Sequence, residues 1–232
     1  MEVSFHTASG DDNEGNTIKS TLMEEKISLA NVVEVSDRKT LTKIRFFGSR
    51  ESLLDREQIL LQADRGPNET LDLETSATLT QSAMTSISNS CALVISDYDK
   101  GVVTLDGAQT LISAANELGI PTIVDPKLTG LEKSRGATVV IFEKRGMALL
   151  SKRIGLNDDQ AAKQLLDEYS WDGILVLGGI HGVDLHQMDE DCIHMPCKAP
   201  TAEQQIGMHD AAAASLAAAL GSGLSLYDAA LL

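Results

Sequence analysis

The polar and apolar positions from Ala92 to Thr138 switch between two periods. Ala92 to Ser96 is an apolar run of strand length, and a polar, Gly-containing loop follows from Asp97 to Gly101. Near Leu105 to Leu118 apolar residues recur every three or four positions, the spacing of a helix with one buried face. Thr122 to Val124 is a second buried strand and opens into Asp125-Pro126-Lys127. Two apolar strands joined by a helix of this length predict a βαβ unit, and so a parallel sheet covered by helices. Such sheets bind ligands beyond the carboxyl ends of their strands. Asp97, Lys100, Asp125 and Lys127 all fall there.

The same patterning extends outward. Glu2 to His6 reads as a short strand and Asn16 to Lys26 as a helix with Ile18, Leu22 and Met23 on one face. Leu29 to Val35 and Thr40 to Phe47 read as strands, Gly48 to Glu57 as charged and irregular, and Leu71 to Ser88 as a helix. Thr138 to Phe142 is another buried strand. Asn157 to Tyr169 is a helix, with Asn157 as its N-cap and acidic residues in its first turn. Gly173 to Leu177 is a strand, followed by Gly178-Gly179 and a hairpin through Gly182. Asp210 to Leu220 is an Ala-rich helix, and Leu224 to Leu232 begins another.

Composition narrows the function classes. A chain of 232 residues suits one domain, or one with a small subdomain. Aromatic residues are only 3%, so the core must be aliphatic. A net charge of −15 argues against non-specific nucleic-acid binding and against docking on an anionic membrane. No apolar run approaches membrane-spanning length and the opening residues do not form a signal peptide, so a cytoplasmic location is expected. Three cysteines argue against a disulfide framework. Cys192, His194 and Cys197 hint at a metal site. However, the segment from Asp191 to Cys197 alternates like a strand and shows no fourth ligand, so no metal is expected. His181 and His186 are expected as a hairpin pair rather than as ligands.

Three motifs carry a resemblance. The order and spacing of SDYDKG, IPTIVDPK and RGAT resemble the heptose-phosphate kinases within the ribokinase-like (PfkB) sugar kinases. Thr40 to Arg45 is similar to that family's Thr-x-x-Lys-x-Arg strand, and Gln58 to Asp64 to the strand that follows it. The resemblance implies an α/β fold with a mostly parallel, Rossmann-like sheet and helices on both faces. It also implies one domain over residues 1–232, with a small β lid or dimer clasp at about 32–63. The family's opening Gly-Asp strand, its Gly-Gly-x-x-x-Asn sugar grip and its final helices have no counterpart here. That predicts apolar surface covered by a second copy or a partner protein.

The resemblance also assigns a site. Asp97, Lys100, Asp125, Lys127, Lys43 and Arg45 are the candidates for binding a sugar phosphate. Gly207, Met208 and His209 stand where the family's phosphate loop stands, with Asp210 on the position of the general base. Gly178 and Gly179 fall at the nucleotide end, and ATP with Mg²⁺ would be the cofactor pair of an active enzyme. Read from the residues alone, Asp210 before a run of Ala fits a helix N-cap better than a general base.

The site motifs depart from the family's at several places. Met208 and His209 replace small residues in the phosphate loop, Ile206 replaces its Thr, and Gln204 replaces an Asp. Glu143 and Gly146 replace an Asn and a Glu, and Leu177-Gly178-Gly179 replaces Thr-Arg or Thr-Lys-Gly. Side chains in a phosphate loop restrict its backbone and crowd the anion. The expectation is a kinase homologue with impaired catalysis that binds or scaffolds. The alternative is an active ATP-dependent kinase acting on a sugar phosphate such as heptose 7-phosphate.

Overall fold

The computed structural model describes residues 2–48, 58–197 and 206–232. The chain folds as two compact units: Met1–Ala83 with Lys100–Val102, and Met84–Asp99 with Val103–Leu232. The stretch read as irregular lies, apart from Gly48, outside the described residues, as does Gln204.

The first unit begins with β1 (Thr7–Gly10), later than the strand read from the pattern at Glu2 to His6. Close packing sets this place: a Cβ on Gly10 would lie 2.1 Å from the Arg38 carbonyl oxygen. Asp12 then starts α1 (Asn13–Glu24) three residues earlier than the apolar face suggests, because its carboxylate accepts from the Gly15 N–H. The same carboxylate accepts from the Thr40 hydroxyl and backbone N–H. These bonds, the Thr40 hydroxyl foremost, hold the Asp12 pKa down at about 2. β2 (Val32–Val35) runs parallel to β1. β3 (Thr42–Gly48) and β4 (Gln58–Arg65) form an antiparallel ribbon with a register shift between Phe46 and Phe47. α2 (Leu73–Ile87) spans the boundary between the units in sequence.

The second unit carries a six-stranded sheet. β5 (Leu93–Ser96), β6 (Thr122–Asp125), β7 (Val139–Glu143) and β8 (Gly173–Leu177) are parallel. β9 (Val183–Gln187) and β10 (Ile193–Met195) complete it antiparallel. Successive residues of these strands face opposite sides. Val124, Val140, Phe142, Ile174 and Val176 pack with α3 (Leu105–Glu117), α4 (Lys144–Ile154) and α5 (Asp158–Tyr169). Ile123, Val139, Ile141, Leu175 and Leu177 pack with α6 (Met208–Gly221) and α7 (Leu226–Leu231). Both faces are therefore covered, and the strands read as continuous apolar runs for that reason.

α4 was not anticipated from the pattern. Gly146 and four basic residues obscure its periodicity, yet Met147, Leu150 and Ser151 form its buried face. Gly155, in the left-handed region at φ 82°, ends it. Asn157 caps α5 as expected, accepting from the Gln160 N–H at 2.9 Å.

Candidate functional site

The parallel strands bring four loops to one edge of the sheet. β5 and β6 pair in register with Ser96 opposite Asp125, and the Asp97 N–H donates to the Asp125 carbonyl at 3.0 Å. β7 ends there in Glu143 and β8 leads into Gly178. α6 packs against this part of the sheet and presents its first turn to the same edge.

Asp97 is 3% exposed, so its charge needs a partner. Lys133 supplies one, with Nζ 2.8 Å from Oδ2. Asp97 Oδ1 also accepts from the Asp99 N–H at 2.9 Å, which shapes the loop and leaves Asp99 at φ 54°. The sequence reading missed Lys133. It lies 36 residues from Asp97, and only the short 3-10 turn Leu131–Ser134 returns it to the strand end.

α6 contributes the most informative contact. Gly207 occupies the N-cap position at φ 82°, and nothing lies within 4 Å of where a Cβ would stand. The reading of Asp210 as N-cap is therefore corrected: Asp210 is the third residue of the helix. A glycine in the left-handed region starts α6 without a side-chain cap. His209 Nδ1 lies 3.2 Å from Asp125 Oδ1, and its Nε2 lies 3.6 Å from Glu143 Oε1. The His209 side chain is 19% exposed. The bond to Asp125 raises its pKa against the opposing effect of burial, with Glu143 adding to the rise. His209 thus ties the start of α6 to the end of β6 through Nδ1, while its buried Nε2 has no hydrogen-bond partner among the described residues.

Asp210 faces another way. It is exposed, and its Oδ1 accepts from the Tyr98 hydroxyl at 3.2 Å. Burial, then the Asp210 charge, raises the Tyr98 pKa. Lys127 Nζ sits 5.1 Å from the centre of the Tyr98 ring, within cation–π range. Asp97, Asp125, Lys127, Gly207, Met208, His209 and Asp210 thus gather at one end of one sheet. Tyr98 joins them; its place inside the DYDK loop was the available signal.

Lys100, Lys43 and Arg45 are engaged elsewhere. Lys100 and Lys43 lie in the first unit, each with Nζ 3.7 Å from Asp64 Oδ2, and Lys100 also donates to Asn68 at 2.8 Å. Arg45 donates to Gln62 at 3.2 Å on the β3–β4 ribbon. Gly178 and Gly179 form the tight connection after β8, where a Cβ on Gly178 would lie 2.8 Å from the Gly182 carbonyl oxygen. A cavity of about 660 Å³ lies in the first unit, lined by Asp12, Arg38, Arg65 and Asp72 among others.

The histidine and cysteine readings change as well. His194 Nδ1 is 2.6 Å from Asp184 Oδ1. Cys192 lies against His186 instead, and Cys197 is exposed. His186 is buried on β9, while His181 sits in a separate short turn, so they do not pair as a hairpin couple.

No family model matches the chain. Among curated proteins it is 33% identical to the bifunctional protein HldE of Paramagnetospirillum magneticum, over 99% of this chain and 46% of that one. The chain therefore spans about half the length of the curated relatives it matches. Among solved structures, the ribokinase of Thermotoga maritima aligns with a TM-score of 0.72 at 19% identity, over 98% of this chain and 71% of that one. An Arabidopsis thaliana ribokinase, solved with ribose and ATP, aligns with a TM-score of 0.71 at 15% identity, over 99% of this chain and 72% of that one.

Proposed function

Because the chain belongs to the ribokinase-like (PfkB) kinase family, we propose that it is a sugar-kinase homologue impaired in phosphoryl transfer. In this reading it binds a sugar phosphate at the strand ends and acts as a binding or scaffolding protein. One observation carries the reading: the His209 imidazole, at a loop position where the resembled family has glycine, is hydrogen-bonded to Asp125 through Nδ1 and stands 3.6 Å from Glu143. Phosphoryl transfer depends on preorganised donors aimed at the moving phosphate. A side chain fixed across the start of α6 narrows that approach.

The fit to Mg²⁺ and ATP points the same way. Glu143, with its side chain 60% exposed, is the carboxylate at this edge best able to meet a cation. His209 stands beside it, with Nε2 3.6 Å from the same carboxylate, so an imidazole occupies one side of the place a cation would take. ATP would supply the phosphoryl group and Mg²⁺ its charge neutralisation. Among the chain's own residues there, Lys127 offers a cation beside the Tyr98 ring and Asp210 an exposed carboxylate.

A second reading rests on the Tyr98–Asp210 bond, which holds Asp210 at the strand ends where a base would act. There the protein is an active ATP-dependent kinase for a substrate such as heptose 7-phosphate. Calorimetry with that compound and with Mg·ATP separates the two. The impaired-homologue reading predicts sugar-phosphate binding that Lys127→Ala weakens about tenfold, the size of one lost charge-assisted hydrogen bond, with Mg·ATP binding only at millimolar levels. Tight Mg·ATP binding, together with turnover abolished by Asp210→Asn, would establish the second reading instead.

The β3–β4 ribbon supports a partner. Phe46, Phe47, Leu60 and Leu61 are exposed on it, and a two-stranded ribbon is marginal alone. A second copy of the chain, pairing ribbon to ribbon, is the proposed cover.

A further inference from the structure

β9 and β10 bring a second group of reactive side chains together at the opposite end of the sheet. Leu185 pairs with Ile193 and Asp184 with His194, so Cys192 stands across from His186, one step beyond the ladder. Residues directly opposite in an antiparallel pair share a face. His186 also pairs with Ile174, near the start of β8. The group therefore lies toward the opening ends of the parallel strands, away from Asp125, Glu143 and His209.

α5 adds the third member. Asp159, in its first turn, places Oδ1 3.7 Å from His186 Nδ1. Cys192 Sγ lies 3.8 Å from Nε2 of the same ring. The carboxylate distance exceeds that of an ordinary N–H···O hydrogen bond, whereas the thiol contact is within the longer reach of a sulfur hydrogen bond. His186 is only 6% exposed, a buried imidazole flanked by a carboxylate and a thiol. One ligand atom from each of Asp159, His186 and Cys192 lies within 4.8 Å of the other two.

We propose that Asp159, His186 and Cys192 form a three-ligand site for a borderline divalent metal of the zinc class, clamping α5 to the β9–β10 hairpin. The donor set of one nitrogen, one sulfur and one oxygen is the kind zinc takes. Zn–S and Zn–N bonds at a tetrahedral angle place sulfur and nitrogen roughly 3.5 Å apart, close to the separation here. Cys192 loses its thiol proton to solvent on binding, one ring nitrogen of neutral His186 donates its lone pair, and water completes the shell. Asp159, with its side chain 69% exposed, can adjust to the ion without disturbing the core. Asp184 on the same face is engaged by His194 and adds negative field without serving as a ligand.

Cobalt titration of the full chain tests this, since a cobalt–thiolate bond absorbs in the near ultraviolet. One equivalent of Co²⁺ should produce that band, and Zn²⁺ should displace it. Cys192→Ser should abolish the band, although Cys91 and Cys197 remain. Asp159→Asn, at an exposed position, should keep the band and weaken Zn²⁺ binding by about tenfold or more. The proposal fails if the folded wild type shows no band, or if Cys192→Ser retains it. It also fails if Zn²⁺ affinity is the same in wild type and Asp159→Asn, the behaviour of an adventitious ion on surface carboxylates.

Discussion

His209 joins α6 to the end of β6 through its bond to Asp125, and its protonation is the local measure of that joint. Asp125 raises its pKa above the ordinary 6.5. The folded state therefore holds the proton more tightly than the unfolded chain does. The stabilisation is complete below 6.5 and is lost as pH rises through the folded value. Thermal unfolding from pH 6 to 9 should show this loss in the wild type, and His209→Gln should flatten that part of the profile. An unchanged slope in His209→Gln would mean that another group titrates there. Asp125 and Lys127 were readable from the sequence because a buried strand running into Asp-Pro-Lys marks the strand ends of a parallel sheet. The Lys133–Asp97 pair was not, since no local pattern links residues 36 apart.

At the scale of elements, regular periodicity carried most of the reading, and backbone conformation carried what it missed. α3, α5 and the strands β5 to β8 follow from apolar spacing alone. α6 was expected as a helix, but its start was misassigned. Asp before a run of Ala looks like a cap, whereas the actual start is Gly207 in a left-handed conformation that no side chain signals. α4 was missed because its buried stripe is only a few residues wide among basic neighbours. The His186–Cys192 pair needs the hairpin register, which sequence spacing does not fix. Caps identified correctly should behave as caps. Asn157→Ala removes the acceptor for the Gln160 N–H and should lower stability by about 1 kcal/mol. Denaturant unfolding measures this directly, and no loss would show that water replaces the bond at no cost.

The whole molecule combines a covered six-stranded sheet with an apolar ribbon in its first unit. Among the described residues no helix is long and apolar enough to cross a membrane. The net charge of −15 repels other acidic surfaces, so the proposed pairing of two copies would rest on apolar contact such as the ribbon offers. Light scattering should therefore find a dimer that Phe46→Lys converts to monomer. A wild-type monomer at micromolar concentration would remove the ribbon as an interface. The central claim is that a ribokinase-like scaffold carries a phosphate loop closed by His209. Phosphoryl transfer from Mg·ATP to heptose 7-phosphate, measured for wild type and His209→Gly side by side, tests it most directly. Turnover should be at or near background in the wild type and rise about tenfold or more in His209→Gly, because an opened loop restores donors to the phosphate. Efficient wild-type turnover that His209→Gly leaves unchanged or reduces would contradict it.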